Sequence, residues 1–327
     1  MALNVDLDFG KYTTPLALLG LAALTKTTYS YTRQASNYLR PSTLRTRYNP
    51  NSNTTPNWAL VTGATDGIGF GFAQELCARG FNVILHGRNS QKLNQRREEL
   101  TAEFPTAKLG VVVCDAVSFG GDVDRIDEEV RGIIAASASG GKLTVLVNNV
   151  GGETKPSTLL KDYTYEDIET TVACNATFAI QITRVLAAQL EESAPAFVLN
   201  VSSVAAFGMP YISAYCATKG FMDSFTMSLG AEFRAEGKDV EVMALRVAEV
   251  RTAGYDVKSN LFVPEARVLA AAGLDRVGCG QEFVWAYFWH WLQGLSFDIL
   301  PRWALLKIAS MKLKAIKFEA DAKRKSS

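Results

Sequence analysis

Tyr215 and Lys219 stand four residues apart in SAYCATK (213–219), and of the eleven tyrosines only Tyr215 has a lysine at that distance. On a helix this spacing puts both side chains on one face, as it also would for an idle surface pair. The chemistry it offers is proton donation. A phenol ordinarily ionises at about pH 10, and a neighbouring ammonium favours its anion, each unit of pKa being worth about 1.4 kcal/mol. Twelve and thirteen residues upstream, Ser203 and Ser202 offer hydroxyls that can polarise a carbonyl. Reducing a ketone needs a proton and a hydride, so the chain must also hold a hydride carrier.

TGATDGIG (62–69) has the form of a nucleotide loop. Gly63 permits a tight turn. Gly67 and Gly69 carry no side chain, so backbone N–H groups at a helix start can approach a pyrophosphate, and Asp66 is placed to cap that helix. Gly63, Thr65, Asp66, Gly67, Ile68 and Gly69 are therefore the expected cofactor loop. It follows an apolar run and opens a helical pattern, the context that gives such a loop meaning. At the end of the next apolar run stands His86-Gly87-Arg88-Asn89, without the acid that usually takes the ribose hydroxyls of NAD. Arg88 can instead meet a 2′-phosphate, which favours NADP(H).

Elements able to position these groups follow from periodicity. WALVT (58–62), FNVILH (81–86), KLGVVVC (108–114), LTVLVN (143–148), AFVLNV (196–201) and DVEVMAL (239–245) are short apolar runs. Helical patterns separate them, including one long helix over 166–192 and another over 215–236. Strands apolar throughout, alternating with helices, predict an α/β fold. It is a single Rossmann-type doubly wound parallel sheet with helices on both faces.

The chain has 327 residues, 48% hydrophobic and 20% charged, with a net charge of +1. The balance hides basic ends: residues 1–60 carry six Lys/Arg against two Asp/Glu, and 301–327 carry eight against two. With no nucleic-acid motif, basic ends point to a membrane surface. Residues 15–24, PLALLGLAAL, are too short for a plain span of about 20 residues, and Asp6 and Asp8 ahead of them disfavour a secretory signal. A membrane-inserted or interfacial anchor over 1–39 is expected, then a polar linker over 40–56. The reductase domain should run over 57–280 with a substrate loop at 249–272, and an aromatic then basic extension over 281–327. FVWAYFWHWLQGLSFDIL (283–300) has seven aromatic residues and one formal charge, fitting a membrane interface, a lid over an apolar substrate, or plain core. Five scattered cysteines and two histidines give neither a disulfide frame nor a metal site.

Together, TGATDGIG, NNVG (148–151), Asn175, NVSS (200–203) and YCATK (215–219) resemble the short-chain dehydrogenase/reductase family, in order and at close to its spacing. The resemblance covers about residues 57–246. It implies that Tyr215 is the proton donor, that Lys219 lowers its pKa and binds the nicotinamide ribose, and that a serine orients the carbonyl. Asn175 would hold a water in the proton relay. Asp115 would meet adenine, and Asn149 and Gly151 would line the cofactor. Ser202 has the usual distance from the tyrosine, whereas Ser203 is the serine of NVSS that normally acts. We take Ser203. After the sixth strand Val247-Ala248 replace the family's Pro-Gly, but Val250 and Thr252 can still reach the nicotinamide carboxamide.

More narrowly, the amino-terminal apolar segment, RPSTLRTRY (40–48), FNVILHGRN (81–89) and LDRVGCG (274–280) resemble the endoplasmic-reticulum very-long-chain 3-oxoacyl-CoA reductases and related 17-beta-hydroxysteroid dehydrogenases. AEVRTAG (248–254) departs from that group. The resemblance implies reduction of a 3-oxoacyl-CoA, or a related lipid or steroid ketone, at the cytosolic face of the endoplasmic reticulum, by a chain that forms homo-oligomers. Lys323 and Lys325 resemble a dilysine retrieval tail. The rival expectations are a reductase of a specialised metabolite and a catalytically silent cofactor-binding partner in a lipid-enzyme complex.

Overall fold

A computed structural model of the chain describes residues 9–138, 140–155 and 158–326, without the side chains of 9–11 and 319–326. Asp6, Asp8 and the side chains of Lys323 and Lys325 lie outside the described residues. Two compact units are present, one ending at Pro41 and one beginning at Ser42. The described residues of the first form one helix, α1 (Phe9–Ser36), which contains Pro15, and a short turn after it. Leu16, Leu18, Leu19, Leu21 and Leu24 along it are all exposed.

The second unit carries seven parallel strands in the order β3-β2-β1-β4-β5-β6-β7. In chain order its elements begin with α2 (Leu44–Tyr48), β1 (Trp58–Thr62), α3 (Gly67–Ala78), β2 (Asn82–Gly87), α4 (Ser90–Glu103) and β3 (Leu109–Val113). Next come α5 (Ile126–Ala136), β4 (Leu143–Asn148), α6 (Tyr165–Val172), α7 (Phe178–Glu192), β5 (Ala196–Ser203), α8 (Ser213–Ala235) and β6 (Val240–Val247). α9 (Ala266–Leu274), β7 (Phe283–Trp285), α10 (Phe288–Ile299) and α11 (Arg302–Ser326) complete it. β1, β2 and β4 are buried at every residue, which only a sheet covered on both faces allows. One face packs on α2, α3, α4 and α9 through residues such as Tyr48, Phe72, Leu93 and Leu269. The other packs on α5, α7 and α8 through Val130, Ile182, Leu186 and Phe233. Chain order reverses between β1 and β4, so a crevice opens there beyond the strands' carboxyl ends, where such sheets bind ligands.

Four expectations need correction. The expected linker over 40–56 is largely folded structure. Leu44 and Tyr48 are fully buried, the Tyr48 ring stacks on Phe197 at 5.5 Å, and its hydroxyl donates to Glu241 at 2.5 Å. Those partners lie far away in sequence, so local polarity concealed the packing. The helix expected over 166–192 is interrupted by a π-helical turn, Ala173–Thr177, centred on Asn175. Among the described residues, Tyr165–Glu192 is the one helix long and apolar enough to cross a membrane, yet it packs on the sheet through Ile182 and Leu186. α1 falls below that measure. The substrate loop expected over 249–272 ends early, because residues 266–272 belong to α9. That helix lies so close to α3 that a Cβ at Gly71 would come within 2.9 Å of the Ala266 carbonyl. Finally, the carboxyl-terminal extension is partly sheet: β7 pairs with β6, and Gly294 lets α10 lie against the Trp285 ring, where a Cβ would sit 2.3 Å from the ring.

Tyr48→Ala should therefore cost about 3–5 kcal/mol, the usual effect of emptying a large buried aromatic site. Denaturant unfolding checks this. A change below about 1 kcal/mol would return residues 40–56 to the status of a linker.

Candidate active site

The carboxyl ends of β1, β4 and β5 carry the candidate groups, and buried polar contacts hold those ends in register. Thr62, the last residue of β1, donates through Oγ1 to the Val147 carbonyl at 3.1 Å. The same oxygen accepts from the backbone N–H groups of Asn149 (2.8 Å) and Val150 (3.1 Å). Asn149 Nδ2 in turn donates to the Thr62 carbonyl at 3.0 Å. Gly63, with φ of +66°, turns away here, and a Cβ at Gly69 would lie 2.2 Å from the Gly63 carbonyl. Glycine at 69 is thus a steric requirement of the loop. Asp66 accepts from the Gly67 N–H at 2.6 Å and caps α3, as the loop sequence predicts. Across from it, the Thr252 side chain lies 3.1 Å from the position a Gly67 Cβ would take. Val250 is buried and the rest of the segment is held by Arg251, which pairs with Asp256 and Glu265.

A second lattice links β4 and β5 to the helices beside them. Asn148 Nδ2 donates to Thr183 Oγ1 (2.9 Å) and Asn200 Oδ1 (2.8 Å), and Asn200 Nδ2 donates to Thr226 Oγ1 (2.9 Å). Thr183 and Thr226 pass their own protons to helix carbonyls four residues back. α7 and α8 are thereby fixed against the two strands, with Asn148 Oδ1 left as a buried acceptor without a partner among the described residues.

Four candidate catalytic residues converge above this lattice. Ser203 ends β5; its hydroxyl accepts from the Ala205 N–H at 3.1 Å and its side chain favours the ionised form of Tyr215. Its neighbour Ser202 faces the other way, is fully buried, and donates to Asp223 Oδ1 at 2.6 Å. Asp223 also accepts from Arg246, whose guanidinium lies between the rings of Phe207 and Phe283. Lys219 is buried. Its Nζ donates to the Val201 carbonyl at 2.8 Å and lies 5.6 Å from the centre of the Tyr215 ring. Asn175 donates through Nδ2 to the carbonyls of Gly152 and Thr171, and accepts through Oδ1 from the Gly152 N–H, all at 2.8 Å. Both of its amide protons are thus engaged, and its side chain latches the 151–152 turn. A Cβ at Gly151 would lie 2.6 Å from Asn175 Oδ1 and 3.5 Å from Lys219 Nζ.

Burial shifts the tyrosine and the lysine of the free chain in opposite directions. Tyr215 is half-buried, and burial pushes its phenol up to about 12; the Ser203 side chain eases this, and the Glu153 carboxylate and Cys216 add to it. Burial pushes Lys219 the other way, down to about 8, against weaker opposing pulls from Cys174 and Asp223. The phenol is thus held protonated, as a proton donor must be, and the ammonium is the readily titrated member of the pair.

Sequence reasoning missed Thr62, the Asn148–Asn200 lattice and His290. The imidazole of His290 on α10 is fully buried. Its Nδ1 accepts from the Ala248 N–H at 3.3 Å, which makes Nε2 the donor to the carbonyls of Glu249 (3.1 Å) and Phe262 (3.2 Å). It clamps the segment after β6, where Val247-Ala248 stand in place of Pro-Gly. A histidine alone in an aromatic run was the available signal. Arg88 follows β2, exposed, with no hydrogen bond or ion pair to the described residues, and Thr65 and Ile68 lie partly exposed in the loop and the start of α3. Asp115 accepts from the Val117 N–H at 3.0 Å after β3. No cluster of metal-ligating side chains occurs among the described residues.

A dinucleotide fits this edge on two grounds. The glycine turn leaves the start of α3 open to a phosphate. Lys219 uses one of its three donors, on Val201, and holds the others beside Gly151. A parallel α/β sheet with a glycine turn at its switch point and a tyrosine–lysine–serine set beyond β5 defines a nucleotide-dependent oxidoreductase. The family model for short chain dehydrogenases matches residues 57–259, and the chain belongs to that family. It is similar to a very-long-chain 3-oxoacyl-CoA reductase-like protein of Arabidopsis thaliana, 32% identical over 262 residues, covering 76% of this chain and 80% of that one. It is also similar to the very-long-chain 3-oxoacyl-CoA reductase of Mus musculus, 30% identical over 280 residues, covering 82% and 83%. Among solved structures, a 7beta-hydroxysteroid dehydrogenase superposes with a TM-score of 0.63 at 20% identity, covering 79% of this chain and 95% of that one. A short-chain dehydrogenase from Sphingobium yanoikuyae in complex with NADPH gives 0.58 at 23%, covering 75% and 97%.

The depressed lysine makes stability depend on pH in a definite direction. Between about pH 8 and the ordinary lysine value the unfolded chain binds a proton that the folded chain has released, so stability rises with pH across that window; below it the cost of the buried charge is felt in full. Lys219→Met removes the cost. Relative to wild type, its stability advantage should shrink by on the order of 3 kcal/mol between pH 7.5 and pH 10.5. Denaturant curves for the two proteins that stay parallel across that range would contradict the assignment.

Proposed function

We propose that this chain is a membrane-associated NADPH-dependent reductase. It converts the ketone of a 3-oxoacyl-CoA, or of a related lipid, to a secondary alcohol. The observation that carries the reading is the buried Lys219, its Nζ bonded to the Val201 carbonyl and 5.6 Å from the centre of the Tyr215 ring, at the edge where the glycine turn opens. The names of the similar relatives support the substrate class, and the apolar α1 and basic ends support a place at the cytosolic face of the endoplasmic reticulum. Arg88, unpaired where an acid would select NAD, supports the 2′-phosphate of NADP(H).

NADPH, when bound, supplies the hydride. The protein supplies orientation and the proton. Ser203 donates to the substrate carbonyl oxygen and fixes it beside Tyr215. As negative charge grows on that oxygen, the Tyr215 hydroxyl transfers its proton there, and the alcohol forms. Lys219 holds the ribose of the cofactor from beside Gly151 and stabilises the phenolate left behind by its charge. Asn175 keeps the 151–152 turn in place. Gly63, Thr65, Asp66, Gly67, Ile68 and Gly69 form the pyrophosphate end, Asp115 and Asn149 line the adenosine and ribose, and Val250 and Thr252 meet the carboxamide.

NADPH loss at 340 nm with a panel of 3-oxoacyl-CoA and ketosteroid substrates tests this. Tyr215→Phe should lower kcat by at least about 1,000-fold, and Ser203→Ala by about 100-fold, the range seen when a proton donor or an oxyanion donor is removed. Ser202→Ala should cost stability rather than turnover. Unchanged turnover in Tyr215→Phe, or a larger loss in Ser202→Ala than in Ser203→Ala, would refute the assignment. Absence of turnover on every ketone would favour the silent partner.

A further inference from the structure

α11 faces two ways. On its inner side, Leu313 packs on the small cluster of Ala205, Ile212 and Cys216, against which Tyr215 also rests. Lys312 pairs with Glu249 at 2.5 Å, and Arg302 donates to the Phe207 carbonyl at 3.1 Å. Phe207 lies four residues after Ser203, and Glu249 lies next to Val250. The helix is therefore pinned to segments that carry candidate catalytic and cofactor groups, and forms a wall beside them.

Among the described residues, its outer side has no such partners. Trp303, Met311 and Phe318 recur at intervals of eight and seven residues, about two helical turns each, so they share one face. They are 71%, 67% and 73% exposed. Lys307 and Lys314 fall on the same face between them, both exposed, and Ile308 at its margin is exposed as well. From Ile299 to Phe318 there are five cations and no acid. A water-facing helix gains nothing from large apolar groups in a row, and a purely apolar protein groove would gain nothing from lysines set among them. An anionic bilayer surface satisfies both: the rings and the methionine enter the acyl boundary while the lysine stems reach back to the headgroups.

We propose that the outer face of α11 docks on an anionic lipid surface. The wall of the catalytic cleft then rests on the membrane, and an apolar ketone passes from the leaflet to Tyr215 without crossing bulk water. This rests on the membrane-associated reading above, and adds the surface through which it operates.

Binding to vesicles does not test this alone, because α1 offers another apolar stretch. The full chain carrying Met311→Cys, labelled with the fluorophore NBD and corrected for label taken up by the wild-type chain, reports on α11 itself. With vesicles of phosphatidylcholine and phosphatidylserine at a ratio of about 7:3, its emission should shift to the blue and at least double, and do so much less with phosphatidylcholine alone. Trp303→Glu with Phe318→Glu should abolish that change. The pair should also lower kcat/KM at least tenfold for a ketone dissolved in the vesicles while leaving a short water-soluble ketone unaffected. Sedimentation of the protein with vesicles while the label keeps its aqueous emission would overturn the docking and leave the membrane reading standing. Protein that remains in the supernatant would overturn both. A blue shift that needs no vesicles and grows with protein concentration would mark self-association through this face, and would overturn the lipid assignment.

Discussion

A lysine ammonium buried at the carboxyl edge of the sheet is the constraint to which the rest of this site answers. Lys219 has one carbonyl partner, on Val201, and no carboxylate bonded to it. Removing a charge from water on those terms is unfavourable, and an apolar side chain of similar length would make a steadier core. The position makes sense for a group that completes its bonding with a ligand. Every neighbouring feature serves to place it: α8 carries it in from one side, β5 supplies the carbonyl, and the side-chain-free Gly151 leaves the space in front of it open.

Placing a charge to within an ångström requires rigid supports, and these are polar rather than apolar. The apolar core on either face sets which helices cover the sheet, but not how far each slides along it. The Thr183–Asn148–Asn200–Thr226 lattice does set that, because each side chain has directional partners on both a strand and a helix. Thr62 performs the same office between β1 and the turn after β4. The π-helical turn at Asn175 is the local irregularity that brings its carboxamide level with Gly152; an uninterrupted α-helix would present it elsewhere on the helix surface.

What the sequence made legible was whatever local pattern determines. β1 and β4 coincide with their apolar runs, the capping by Asp66 followed from its place before Gly67, and the site residues lay within short motifs. What it concealed depends on distant partners. Tyr48 looks like part of a polar linker until Phe197 and Glu241 are beside it. FVW at 283–285 reads as part of one aromatic extension until β6 offers it an edge. Counting could not tell the serines apart, since 202 and 203 point to opposite faces of one strand, and Asp223 draws the first inward. The tyrosine–lysine spacing says nothing about burial, which shifts the two groups in opposite directions.

The central claim is that the Lys219 ammonium waits for the cofactor ribose, and equilibrium binding of NADPH tests it without reliance on turnover. Cofactor fluorescence can be titrated against protein from pH 7 to pH 9.5. With the free lysine at about 8, the account predicts a Kd that weakens by about 30-fold across that range in the wild type and stays nearly flat in Lys219→Met. A wild-type affinity that does not change with pH, or one that falls equally in both proteins, would contradict it.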